Sequence, residues 1–160
     1  MEIIRIDEAR LDECLEVIHK SFATVAEEFG FTPENCPTHT SFMPIEKLRK
    51  YAEWGFEMFG MEDNGRIIGY VSVSHNPDGK FELHNLAVLP EYRHRGIGRK
   101  LVDRAKEAVA EKGGNKLHIG IIDEHTVLKK WYETKGFVST GTQKFEHLPF
   151  TVGFMECDIC

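Results

Sequence analysis

The stretch PEYRHRGIGRKL, Pro90 to Leu101, sets Gly96 and Gly98 among Arg93, Arg95, Arg99 and Lys100, directly ahead of a run with helical spacing. Without a Cβ, a glycine lets backbone N–H groups approach a ligand closely. The first N–H groups of a helix are unpaired and partly positive, and arginines around them add mobile charge. That combination suits a phosphate or a diphosphate. The plainer reading is a helix start with glycines for packing and solvated arginines. Two familiar phosphate motifs do not fit: a P-loop needs Gly-Lys-Ser/Thr here, and a dinucleotide fingerprint needs a third glycine where Leu101 stands.

Other residues with chemical potential are Glu82 and His84, which share one face of a predicted strand by its period of two. The ordinary imidazole pKa of ~6.5 suits proton transfer near neutrality. Either residue also fits as a polar group on a half-exposed strand. The cysteines offer a third chemistry. CPTH (Cys36, His39) and CDIC (Cys157, Cys160) have zinc-like spacing, although a terminal CxxC arises easily by accident. No metal is expected. Four cysteines are too sparse for a disulfide scaffold, and Cys14 reads as a small core residue on an apolar helix face.

The elements that must position these groups follow from periodicity. EIIRI reads as a short strand. Leu11, Cys14, Leu15, Ile18, Phe22 and Val25 recur at helical spacing. Residues 30–43, GFTPENCPTHTSFM, have no period and are long for a connection, which marks a functional or disordered loop. A helix PIEKLRKYAEW follows, then a hairpin FEMFGME–DNG–RIIGYVSVS with Asn64-Gly65 at its turn. Next come the strand KFELHNLAVL, the helix GIGRKLVDRAKEAVAEK, the strand NKLHIGII and a helix HTVLKKWYETK closed by Gly136. FVSTGTQKF and FTVGFMECDI make a last strand pair joined through EHLP. There is no repeat or boundary, so residues 1–160 form one mixed α/β domain.

Composition bounds the partners. With 20 basic and 26 acidic residues the net charge is −6, which argues against a phosphate-backbone binder and mildly favours a cationic or amine-bearing partner. No apolar run approaches a membrane span, and MEIIRIDEAR lacks the basic start and apolar stretch of a signal peptide. The expected location is the cytoplasm, with no membrane and no nucleic acid as partner.

The order of ELHNLAVLP, EYRHRGIGRKL, KLHIGII and VLKKWYETKGF resembles the GNAT superfamily of N-acetyltransferases. Its Arg/Gln-x-x-Gly-x-Gly/Ala motif is matched by Arg93, Gly96 and Gly98. Its aromatic-Tyr-Glu-x-x-Gly-Phe signature is matched by Trp131, Tyr132, Glu133, Gly136 and Phe137. The resemblance implies a mixed, mostly antiparallel twisted sheet of about seven strands flanked by about four helices, with a central strand pair splayed around acetyl-CoA. By matched position, the backbone of Leu86, Ala87 and Val88 pairs with the pantetheine arm. The segment Arg93, His94, Arg95, Gly96, Ile97, Gly98 and Arg99 cradles the pyrophosphate. His125 replaces a common cofactor-contacting asparagine.

The resemblance further implies transfer of an acetyl group to a primary amine by direct attack in a ternary complex. Tyr132 matches the general acid, since a phenol with pKa ~10 stays protonated; as a residue alone it also fits a core position. Glu82 stands where some members keep a glutamate base, His84 is the other candidate, and Gly120 stands where other members use a glutamate on the next strand. The loop 30–43 and the last hairpin are expected to wall the acceptor site, offering Glu34, Asn35, His39, Thr40, Glu146 and His147. A small-molecule or peptide amine is the implied partner, and a homodimer is compatible with it. The competing functions are a non-catalytic acyl-CoA-binding or regulatory module and a zinc domain built on Cys36, His39, Cys157 and Cys160.

Overall fold

A computed structural model describes residues 1–159. The chain runs β1 (Glu2–Arg5), α1 (Leu11–Phe29), α2 (Ile45–Glu53), β2 (Glu57–Asp63), β3 (Arg66–His75), β4 (Phe81–Val88), α3 (Ile97–Glu111), β5 (Lys116–Ile122), α4 (Thr126–Glu133), β6 (Val138–Lys144) and β7 (Thr151–Asp158). The expected elements therefore form, most of them within a residue or two of the expected ends. Short 3-10 turns at Glu8–Arg10, Thr40–Phe42 and Pro90–Tyr92 were not legible in the pattern.

The seven strands form one sheet in the order β1-β2-β3-β4-β5-β7-β6, antiparallel throughout except for β4 against β5. That parallel pair is short: only Phe81–Leu117 and Glu82–His118 are in register, and the strands separate beyond them. A bulge contributes to the separation. Tyr70 of β3 pairs with Ala87 and Ser72 with His84, so β4 carries one extra residue opposite Val71. Asn85, in that extra segment, takes φ 54°, a left-handed conformation that asparagine tolerates better than most residues.

Burial explains the layers. β3 is buried along nearly its whole length because α1 and α3 both pack on it. α1 turns Leu11, Cys14, Val17, Ile18 and Ser21 inward, and α3 turns Leu101, Val102, Ala105, Ala108 and Val109 inward. A smaller cluster gathers Ala26, Phe31 and Cys36 with Phe29, Phe42, Ile122, Leu148 and Phe150. The loop 30–43 is thus a packed segment that docks on the β6–β7 connection, with the Phe31 and Phe150 ring centroids 5.4 Å apart. Among the described residues no helix is long and apolar enough to cross a membrane.

Candidate active site

The β4–α3 turn has the backbone geometry of an anion cradle. His94 (φ 65°) and Gly96 (φ 77°) are both left-handed and flank Arg95, an alternation that turns successive N–H groups toward one side. Gly96 is the N-cap of α3 and makes no side-chain cap bond. No protein acceptor takes the N–H groups from His94 to Arg99 among the described residues; the first helical bond runs from Lys100 N–H to Gly96 O. The two glycines serve different ends. Gly96 has open space where a Cβ would stand and needs its backbone angle, whereas a Cβ on Gly98 would lie 3.3 Å from the Trp131 indole. Gly98 is small so that α4 can lie close to α3.

Beside the cradle is a cavity of about 590 Å³, walled by α1, the end of β4, the turn and α4. Of the residues singled out in the sequence, Leu86, Val88, Arg93, His94, Gly96, Ile97, Gly98, Arg99, His125 and Tyr132 line it. Two expected residues do not reach the wall. Ala87 is buried against the other side of β4, and the Arg95 guanidinium lies 5.0 Å over the Tyr92 ring. Among the described residues the β5-facing edge of β4 has no strand partner beyond Glu82; Val88 N–H donates to Ser21 Oγ at 3.3 Å, and the rest of that edge is open to an extended amide-bearing arm. Arg93 also bonds within the fold: its Nη2 donates to Ser21 O at 2.9 Å and to Thr24 Oγ1 at 3.1 Å, tying the turn to α1. Burial lowers its pKa, with its charge absorbed by these acceptors.

α4 presents the acid candidate. His125 caps the helix by accepting from Leu128 N–H through Nδ1, and its Nε2 is 4.0 Å from Glu28 of α1. Gly136 (φ 93°) turns the chain back so that Phe137 packs edge-on against the Tyr132 ring at 5.4 Å. Tyr132 is 5% exposed, and desolvation raises its phenol pKa well above the ordinary range. Among the described residues its hydroxyl has no protein partner, yet it is not one of the sealed orphan atoms, which there are Tyr70 Oη and Asn85 Oδ1. It opens on the cavity. A protonated, unpartnered donor facing a cavity is what protonation of a leaving sulfur requires.

The base candidates stand elsewhere. Glu82 and His84 do not line the cavity; His84 stacks on Phe56 at 5.0 Å and bonds Ser74 Oγ at 2.8 Å. They sit where the pairing of β4 with β5 ends. The expected acceptor-binding residues are not gathered on the cavity either. Glu34 and His147 are exposed, and the Asn35 side chain closes a turn by accepting from Thr32 N–H and donating to Gly30 O. His39 is buried, bonded to Ser41 through Nδ1, with Phe31 and Phe42 around it. Burial lowers its pKa, so it is a neutral packing residue of the loop. Thr40 is half-buried and Glu146 exposed, both off the cavity. Residues missed from the sequence are Ser21, Phe22, Thr24, Val25 and Glu28, which form the α1 wall. Ser21 and Thr24 were the available signal, polar residues beside an apolar stripe.

The zinc arrangement is not assembled. Cys36 lies in the small aromatic cluster and Cys157 in the main core, and Cys160 lies outside the described residues. Among the described residues no group of His, Cys, Asp and Glu is placed to hold a metal ion.

The family pattern of Acetyltransferase (GNAT) family matches residues 22–137. The chain belongs to the GNAT acetyltransferase family. An uncharacterized N-acetyltransferase of Schizosaccharomyces pombe is 36% identical over 126 residues, covering 76% of this chain and 83% of that protein. The fold is also that of the ribosomal-protein-S18-alanine N-acetyltransferase of Escherichia coli, with TM-score 0.79 at 16% identity over 99% of this chain and 93% of that one. An aminoglycoside 6′-N-acetyltransferase solved with coenzyme A has TM-score 0.75 at 19% identity, over 100% and 98% of the two chains. For this GNAT protein the cavity, the unpartnered N–H cradle and the open β4 edge fit acetyl-CoA as cosubstrate. The chemistry is acetyl transfer from acetyl-CoA to an amine.

Proposed function

We propose that this GNAT protein acetylates a primary amine on a small molecule or a peptide, by direct attack within a ternary complex. The observation that carries the reading is the Tyr132 hydroxyl, unpartnered and open to the cavity whose far wall is the N–H cradle. The amine nitrogen attacks the thioester carbonyl carbon, the carbon–sulfur bond breaks, the sulfur takes its proton from Tyr132, and the extra proton left on the acylated nitrogen restores the phenol. The backbone from His94 to Arg99 binds the diphosphate, and the unpaired edge of β4 aligns the pantetheine arm.

His84 takes the proton that the substrate ammonium must lose before its nitrogen can attack. Burial lowers its pKa despite the neighbouring Glu82, so the ring is neutral and basic at pH 7. Its place at the end of the β4–β5 pairing supports an acceptor that enters from the α2 side of the sheet.

The test is thiol release from acetyl-CoA against a library of small amines, polyamines and peptides. Amine-dependent release, lost on Tyr132→Phe, is expected. Saturable acetyl-CoA binding with no release for any amine would leave a binding module instead.

A further inference from the structure

The β3–β4 hairpin places four polar side chains on one face. Its register sets Ser74 opposite Glu82 and Ser72 opposite His84, and Asn76 opens the connecting turn by accepting from Gly79 N–H and donating to Lys80 O. The side chains form a continuous series: Asn76 Nδ2 to Glu82 Oε2 at 3.3 Å, Ser74 Oγ to Asn76 Oδ1 at 2.8 Å, and His84 Nε2 to Ser74 Oγ at 2.8 Å.

We propose that Glu82, Asn76 and Ser74 hold His84 as the Nε2–H tautomer, leaving Nδ1 as the nitrogen that receives the acceptor's proton. The proposal deepens the acetyltransferase reading and rests on it.

The polarity of the series follows from what each group can do. An ionised carboxylate only accepts, so the amide group facing Glu82 is Nδ2–H and the amide oxygen faces Ser74. A serine has one hydroxyl proton, and Ser74 uses it on Asn76 Oδ1. Toward His84 the Ser74 oxygen is therefore an acceptor, and the imidazole nitrogen that meets it must carry hydrogen. Glu82 Oε2 lies 3.9 Å from the same Nε2 and favours a proton there. The neutral ring then has its lone pair on Nδ1.

Packing fixes the plane of the ring. Phe56 stacks on it at an interplanar angle of 26°, and Tyr51 of α2 lies 5.8 Å away. The charged groups that bear on it are Glu82 of β4, which favours protonation, and Lys47 of α2, which opposes it. The Tyr51 phenol is kept neutral by burial and by Glu82. In the transfer step the substrate ammonium gives one proton to Nδ1, and the ring becomes an imidazolium with Nε2–H still on Ser74. Ser74, Asn76 and Glu82 are positioning residues; only His84 meets the proton.

Long-range 1H–15N correlation spectra of the intact protein above pH 7.5 read the tautomer directly. Wild type is expected to show His84 with Nε2 protonated and Nδ1 bare, and Ser74→Ala to shift it toward a mixture. His84→Gln keeps an N–H for Ser74 and deletes the base; kcat/KM should fall by ~10²-fold and lose its acidic limb, with acetyl-CoA affinity within a few-fold. A wild-type His84 protonated on Nδ1 overturns the tautomer assignment without any variant. Undiminished kcat/KM in His84→Gln overturns the base assignment. If no amine supports thiol release while the tautomer and its response to Ser74→Ala are as stated, the acetyltransferase reading fails and the base role with it, and the hydrogen-bond series alone stands.

Discussion

Arg93, in the middle of the basic turn, is bonded to α1: its Nη2 donates to the Ser21 carbonyl at 2.9 Å, with Thr24 Oγ1 at 3.1 Å. Ser21 Oγ in turn accepts from Val88 N–H at 3.3 Å. One guanidinium thus links the turn to the helix that walls the cavity on the far side.

Arg93→Ala should therefore be a stability variant before it is an affinity variant. Losing hydrogen bonds to a charged, half-buried donor costs about 1.5–3 kcal/mol. Arg93→Lys should recover only part, because an ammonium cannot span the same acceptors as a planar fork. The check is a melting curve alongside acetyl-CoA titrations at two salt concentrations. An unchanged melting temperature, with weaker binding that depends less on salt, would assign Arg93 to the phosphates instead.

Gly96 and Gly98 should fail in different ways. Gly96→Ala meets open space but must hold φ 77°, a strain of about 1–2 kcal/mol for an L-residue. Gly98→Ala brings a Cβ to 3.3 Å from the Trp131 ring, so the indole and α4 must give way. Adding Trp131→Phe should relieve Gly98→Ala and leave Gly96→Ala unrelieved. Gly96→Asp, which adds charge inside the cradle, should weaken acetyl-CoA binding far more than Arg95→Ala, since Arg95 lies over Tyr92. Calorimetry on these variants decides it; equal small effects from Gly96→Asp and Arg95→Ala would count against a main-chain diphosphate site.

How much of this was legible follows from the range of each signal. The α4 signature is local: Gly136 permits the turn that packs Phe137 on Tyr132, and all three lie within six residues. The cradle is local too. The bulge at Asn85 was not legible, because the apolar run Leu86, Ala87, Val88 hides the break in alternation. The direction of Arg93 depends on a helix some seventy residues earlier, and charge alone says nothing of where a side chain points. His39 looked available in a polar loop. It is buried because Phe31, Phe42 and Phe22 close around it, aromatic residues whose spacing carries no helix or strand period.

A buried histidine, His39, and a half-buried one, His84, give the fold an acid sensitivity. Burial is the first cause that lowers the pKa of both His39 and His84. The unfolded chain titrates these rings near ~6.5 and so binds more protons than the folded one just below that value. Their contribution to stability is present in full above about pH 6.5 and is lost as the pH falls through the lower folded values. Urea midpoints should drop between pH 7.5 and pH 5, and His39→Phe should flatten part of that drop. Midpoints that stay level across the range would show that neither ring is held neutral.

Tyr132→Phe separates packing from chemistry. The ring packs on Phe137 at 5.4 Å and beside Trp131 at 5.0 Å, contacts that phenylalanine keeps. Among the described residues the hydroxyl makes no protein hydrogen bond, so removing it leaves no buried group there unpaired. Melting temperature should stay nearly constant. Turnover should not: kcat is expected to fall by ~10²-fold if the phenol protonates the leaving sulfur. Acetyl-CoA affinity should remain within a few-fold, because the cradle and the β4 edge are untouched. Burial raises the phenol pKa above its ordinary value, so the wild-type rate should show no alkaline loss from Tyr132 below about pH 10. Steady-state kinetics with any accepted amine, paired with a melting curve, measure both sides. An unchanged kcat under conditions where chemistry limits the rate would remove Tyr132 as the acid and return it to the core.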